Sequence, residues 1–407
     1  MELKEISKTK FDAFAFNHPQ ASFQQSSYWA HFKEGEGFHT YCLVLEEKNQ
    51  IIAGTMLLAK EQTIFKKRYF YAPRGFLIDY KNEDLLRNFT ELIIKFIKEK
   101  KGIMLKIDPN VAYQKRDNKG STIPGSFIHD YIKQNLQNVG FKENYLNTIQ
   151  PKWLYKIDLR NKDSNKILKE MSPKARQIIH TRNYFSFHFD EVPKKELDTF
   201  ISLIQGGNKQ NGIIEYQLPF YQDLLTSFKE DKIKFISVKL NVEETKKKIE
   251  VQLEYFNKIK NNYSKKHNIY EQKINSLQNI RKKLDTIPNN IIVGTYLFVL
   301  DKNEVTLLQS KITPQYKFLN TSYLIQYYFI EKMLEKHYMI YNLYEISNPS
   351  DQGNLLFSKY QYYQHFGGNV IEMLGEFDYI IDKNMYIIFK HFFPKYYGIK
   401  TVKTTNK

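Results

Sequence analysis

One order of elements occurs twice in this chain. IIAGTMLL begins at Ile51 and IIVGTYLF at Ile291, 240 positions later in a chain of 407 residues. A second β-like run follows each of them (Tyr69 to Ile78; Val305 to Ser310), then a long amphipathic helix pattern (Leu85 to Lys100; Ser322 to Lys336). A short apolar strand comes next (Met104 to Ile107; Ile340 to Tyr344), and an aromatic–glycine landmark closes the series (Gly140-Phe141; Phe366-Gly367). Recurrence of this kind at long period implies a duplicated α/β unit. Two units also suit the length, because a single hydrophobic core rarely grows beyond ~250–300 residues.

The first unit is expected over residues 1–150. The second opens with WLYKIDL from Trp153, which alternates as a strand does. A Lys- and Arg-rich helical stretch follows, with Asp163 or Ser164 as its cap and Pro173 as a break between two short helices. FSFHFDEV then reads as a strand and Lys195 to Ile204 as a helix, so the second unit should occupy 151–241 and 289–399, with 400–407 a flexible tail. Between its parts, 242–288 is dense in Lys, Glu and Asn, and Ile249, Phe256, Tyr263, Tyr270, Leu277 and Leu284 recur every seven residues. Both ends of this insertion must return to one sheet, so it should be an antiparallel coiled-coil hairpin turning near Asn261 to Asn268. An extended dimerisation helix is the other reading of the same heptads.

Composition narrows the function classes. Hydrophobic residues make up 42% of the chain, enough for two cores, and Cys42 is the only cysteine, which excludes an intramolecular disulfide or a multi-cysteine zinc site. MELKEISKTK has no apolar signal region and no apolar run reaches membrane-spanning length, so a cytoplasmic protein is expected. The formal net charge of +17 favours a polyanionic partner, either nucleic acid or an anionic membrane surface, although a Lys- and Asn-rich composition gives the same sum.

Familiar catalytic motifs are missing. The chain has no P-loop, no G-x-G-x-x-G after a strand, no G-x-S-x-G and no H-E-x-x-H, and its ten histidines are scattered. The duplicated unit resembles the acyl-CoA N-acyltransferase fold in element order, which makes the fold class α/β with two tandem domains of that kind. Neither repeat places a glycine-rich pyrophosphate loop before its helix: Gly35 and Gly37 precede the first repeat strand, and Gly206-Gly207 follows a helix. No cofactor is therefore expected, and CoA-dependent transfer is disfavoured.

A set of ordered segments carries a closer resemblance: FQQSSYWAHFKEGEGF from Phe23, YFYAPRGFLIDY from Tyr69, LKIDPNVAYQ from Leu105, the insertion, SYLIQYYFIEKML from Ser322, YNLYEIS from Tyr341, and HFGGNVIEMLGEFDYIID from His365. In these the chain resembles the FemABX peptidoglycan aminoacyltransferases over nearly its whole length. The resemblance implies transfer of an amino acid from aminoacyl-tRNA to an amine of a lipid-linked peptidoglycan precursor, with glycine favoured over alanine or serine. It also implies peripheral contact with the inner face of the membrane and a homo- or hetero-dimer with a related transferase.

Site residues follow from the same resemblance. Lys33 matches a position that contacts the precursor's phosphates, and a lysine at a strand or loop end can hold phosphate as a point charge. Asp108, in KIDP, matches an acidic residue beside the acceptor peptide, where it would orient the amine or take its proton; capping the turn before Pro109 is the other role open to it. Arg74 also matches, with pairing to Asp79 as its alternative, and Lys317 falls where relatives often carry Arg. Two positions depart from the family pattern. Tyr216 stands where an Arg often clamps the precursor, and Tyr363 where a Lys would stabilise charge; Lys359, one helical turn earlier, is the candidate replacement. These departures also admit a non-catalytic paralogue that binds tRNA or precursor as a scaffold.

Overall fold

A computed structural model describes residues 1–62, 64–144, 148–205, 218–260 and 267–392. Its strands in chain order are β1 (Glu2–Glu5), β2 (His39–Glu47), β3 (Gln50–Gln62), β4 (Lys67–Ala72), β5 (Gly102–Ile107), β6 (Ala112–Arg116), β7 (Lys142–Asn144) and β8 (Trp153–Asp158). They continue with β9 (Phe187–Glu191), β10 (Ile233–Leu240), β11 (Ile291–Leu300), β12 (Glu304–Ile312), β13 (Ile340–Glu345), β14 (Asn369–Met373) and β15 (Glu376–Ile380). Two mixed sheets result, ordered β1-β2-β3-β4-β5-β15-β7 and β9-β10-β11-β12-β13-β8-β14-β6.

Read from β1 and from β9, the sheets repeat each other. Three antiparallel steps lead to one parallel pair, β4–β5 in the first sheet and β12–β13 in the second. A parallel pair needs a crossover, and a helix supplies it each time: Glu83–Glu99 in the first unit and Thr321–Glu335 in the second. The Glu83–Glu99 helix places Leu86, Phe89, Ile93 and Ile97 on one face, all buried against the first sheet, each contributing roughly 1.5–3 kcal/mol. Asn82 caps it by accepting the Leu85 N–H at 3.0 Å.

The two sheets exchange strands. β8 follows β7 in the chain but lies in the second sheet, between β13 and β14; β15 follows β14 but lies in the first, between β5 and β7. β6 also leaves the first half to pair with β14. Thus β6, which precedes residue 150, and β15, which falls within 289–399, each lie in the sheet of the other expected unit, while β8 opens the second. Alternation identifies a strand but says nothing about which open edge receives it.

The insertion is a helical hairpin. Helices Val242–Lys260 and His267–Leu284 run antiparallel, since Lys260 meets Glu271 at 3.5 Å near one end and Arg281 meets Glu250 at 2.9 Å nearer the other. Ile249, Phe256, Leu277 and Leu284 are buried and Tyr270 packs against them, as the heptads require. The hairpin leaves and re-enters the second sheet at paired residues, Leu240 opposite Ile291. Tyr263, most of the expected turn and the 400–407 tail lie outside the described residues. Among the described residues, no helix is long and apolar enough to cross a membrane.

Candidate active site

The parallel pair β4–β5 decides where the first candidate residues meet. Ala72 lies opposite Ile107, so the chain after each strand emerges at the same carboxyl end of the sheet. Asp108 follows β5 directly, held extended by Pro109, and Arg74 turns there with a left-handed φ of 51°. Asp108 Oδ1 accepts the Arg74 backbone N–H at 2.8 Å, while Arg74 Nε lies 3.6 Å from Oδ2. Arg74 thus pairs with Asp108 rather than with Asp79. The guanidinium also donates to the Pro151 carbonyl at 3.3 Å.

This carboxyl group is almost completely buried, at 1% exposure. Burial raises its pKa to about 7, with Arg74 pulling it down and Glu376 pushing it further up. Oδ2 completes no hydrogen bond, and neither does the buried Tyr71 hydroxyl on the same side. Burial and the nearby Asp108 hold the Tyr71 phenol well above its ordinary value. The structure therefore presents a buried carboxyl group that changes protonation near neutrality and whose Oδ2, beside the Arg74 guanidinium, completes no hydrogen bond.

Residues absent from the sequence-based set surround it. Gln25 accepts the Met56 N–H at 2.8 Å and donates to the Pro73 carbonyl at 2.6 Å, fixing the turn that carries Arg74. A Cβ at Gly75 would lie 2.9 Å from the Gln25 amide nitrogen, so the turn needs glycine there. Gln24 donates to Gln150 Oε1 at 2.9 Å, and Tyr344, from the end of β13, donates to the same oxygen at 3.2 Å. On the exchanged strand β15, Glu376 accepts the Gln150 N–H at 2.9 Å and the Ile149 N–H, and meets Lys106 at 3.0 Å. Asp378 meets Lys106 at 2.9 Å and accepts from Asn144 and Tyr386. Burial disfavours the Lys106 cation, but Asp378 and Glu376 outweigh it and its pKa is raised. The available signal was the alternation Met104, Lys106, Asp108, which puts Lys106 and the residue just past the end of β5 on the same side.

The second sheet has its own version of this strand end. Glu345 ends β13 just after Tyr344, which has a left-handed φ of 65°, and Lys359 lies on the Phe357–Tyr363 helix. Burial raises the Glu345 pKa, opposed by Lys359; burial lowers the Lys359 pKa, opposed by Glu345. Each group is pushed toward its neutral form. Tyr363 is 2% exposed, packs its ring 6.0 Å from that of Tyr155 with Lys359 Nζ 5.5 Å over it, and has its pKa raised by burial.

The remaining expected residues are spread out. Lys33 lies in the last turn of the Ser27–Gly35 helix, not at a strand or loop end; it pairs with Glu36 at 2.7 Å and lies 4.9 Å over Trp29 and 5.8 Å over Phe38. Lys317 is exposed in the Pro314–Leu319 turn that leads into the second crossover helix. Tyr216 lies outside the described residues.

Comparison with known proteins agrees over nearly the full length. A profile of the FemAB family matches residues 6–392. Aminoacyltransferase FemA of Staphylococcus epidermidis is 24% identical over 421 aligned positions, covering 96% of this chain and 98% of the relative. Aminoacyltransferase FemA of Staphylococcus aureus is 23% identical over 413 positions, covering 95% and 97%. The crystal structure of FemX superposes with a TM-score of 0.77 at 20% identity, covering 95% of this chain and 99% of that one, which fixes the shared fold. The chain belongs to the FemAB family and is an aminoacyltransferase.

Proposed function

We propose that this enzyme transfers an amino acid from aminoacyl-tRNA to an amine on the peptide of a lipid-linked peptidoglycan precursor, with Asp108 as the proton acceptor. The observation that carries this reading is the buried Asp108 carboxyl, with its pKa near 7 and one oxygen unsatisfied. The amine nitrogen attacks the ester carbonyl and a C–N bond forms. Asp108 takes the proton that nitrogen releases, the C–O bond to the ribose breaks, and the ribose oxygen leaves protonated. Because Asp108 is closed over in the free protein, the incoming acceptor displaces the Arg74 side chain as it binds.

Two further observations support this donor and acceptor. The first crossover helix opens with Glu83 and Asp84, charges that repel the pyrophosphate of a CoA donor. At the other strand end, Lys359 and Glu345 provide a donor–acceptor pair to stabilise the oxyanion and protonate the leaving oxygen. Tyr344 and Gln150 join the two strand ends into one polar wall. The basic arm suits the tRNA phosphates, and glycine is the donor most in keeping with the family likeness.

Reconstitution tests the reading. Purified enzyme is mixed with a lipid-linked disaccharide-peptide, with or without a one-residue branch, and with tRNA charged separately with glycine, alanine or serine. Mass spectrometry should show one residue added with one of these donors. No addition with any charged tRNA, under conditions where a FemA enzyme works, would contradict it.

A further inference from the structure

The tip joining β3 to β4 lies at the end of the first sheet opposite Asp108. Ile64 is 74% exposed there, the most exposed large hydrophobic side chain among the described residues, and the neighbouring Phe65 is 41% exposed. Burying such a side chain would yield roughly 1.5–3 kcal/mol, so its display in water runs against stability unless something covers it. Two bonds hold Phe65 and Lys66: buried Gln62 accepts the Phe65 N–H on its side chain at 2.7 Å and the Lys66 N–H on its carbonyl at 2.9 Å.

Cations frame this apolar pair. Lys66, Lys67 and Arg68 follow it directly, and the Arg68 N–H donates to the Lys101 carbonyl at 3.1 Å, which brings Lys98, Lys100 and Lys101 alongside. Arg68 is paired with Glu61 at 3.0 Å, whereas Lys66, Lys67, Lys98 and Lys101 form no ion pair among the described residues. A nucleic acid would reward these charges but not Ile64, which has no ring to stack on a base. An anionic bilayer rewards both.

We propose that this tip docks the enzyme on an anionic bilayer surface, with Ile64 and Phe65 entering the acyl boundary and the surrounding lysines on the headgroups. The inference rests on the lipid-linked acceptor proposed above and adds where the lipid must lie. β4 has six residues, so its length separates the tip from Asp108 by on the order of 20 Å. Beside it Lys60 and Lys33 lie 4.6 and 5.8 Å from the Phe38 ring. An acceptor whose lipid stays in the bilayer at the tip would pass its phosphates by the two lysines and extend its peptide toward Asp108.

The test uses full-length protein and two kinds of vesicle, pure phosphatidylcholine and an equal mixture with phosphatidylglycerol. Wild type should sediment with the anionic vesicles, and both I64D/F65D and K66E/K67E should weaken that binding by about tenfold or more. The I64W variant should be quenched by brominated acyl chains. Transfer to a water-soluble disaccharide-peptide should be unchanged in I64D/F65D and K66E/K67E, while transfer to the vesicle-borne acceptor falls. Vesicle binding equal to wild type in either double variant, an unquenched I64W, or loss of charged-tRNA binding in its place would overturn the proposal. If wild type transfers to neither acceptor, the transferase chemistry proposed above fails, and the vesicle results still decide the docking proposal.

Discussion

The carboxyl ends of β5 and β13 occupy the same place in two equivalent sheets, yet their charges are arranged differently. At the first, Asp108 is closed over by Arg74 and backed by the Lys106–Glu376–Asp378 cluster. At the second, Glu345 and Lys359 face each other half-buried without closing an ion pair, and burial pushes both toward neutrality. The fold thus supplies position alone, and the neighbouring side chains decide the chemistry. A paired, rigid end suits holding one proton acceptor; an unpaired acid and amine suit exchanging a proton with a leaving group.

Removing the first carboxylate should give the largest effect. D108N keeps an oxygen to accept the Arg74 N–H but cannot take a proton, so transfer should fall by about 10²- to 10⁴-fold with the circular dichroism spectrum unchanged. An equal loss in E345Q would erase the proposed division of roles. Next in size is the support behind Asp108. K106M leaves Glu376 and Asp378 buried without their cation, and should cost about 3–5 kcal/mol in denaturant unfolding. A loss below ~1 kcal/mol would show that the cluster does not hold β15 in the first sheet.

At the second strand end, K359M should lower kcat by about tenfold to a hundredfold while the acceptor KM stays put. A change in acceptor KM alone would move Lys359 to the binding of the precursor. The last expected effect is a matter of stability against pH. The folded pKa of Asp108 lies above its ordinary value of 3.8, so its contribution to stability is full below that value and is lost as pH rises through about 7. Wild type should therefore lose stability relative to D108N between those limits, measured by thermal unfolding at each pH.

Much of this architecture was legible in the sequence because it is periodic. The seven-residue spacing from Ile249 to Leu284 marked the arm, and the paired IIAGT and IIVGT runs marked the third strand of each sheet. The exchange of β6 and β15 was not legible, because a short strand fits any open edge. Glu376 and Asp378 alternate with Phe377 and Tyr379 in a short strand, and only its place in the first sheet buries them against Lys106. Nothing in the sequence marks Gln24 and Gln25; the fold makes Gln25 the clamp on the Arg74 turn and ties Gln24 to Gln150. Tyr363 was read through the motif it replaces, whereas its environment is the tyrosine-rich core of the second sheet.

The most direct measurement of the central claim is the pH dependence of single-turnover transfer by wild type, D108N and E376Q. The wild-type rate should rise with pH and level off with an apparent pKa near 7. E376Q removes an anion that raises the Asp108 pKa, so its profile should shift to lower pH, and D108N should be slow with no transition in that range. Identical transitions in wild type and D108N would show that another group takes the proton.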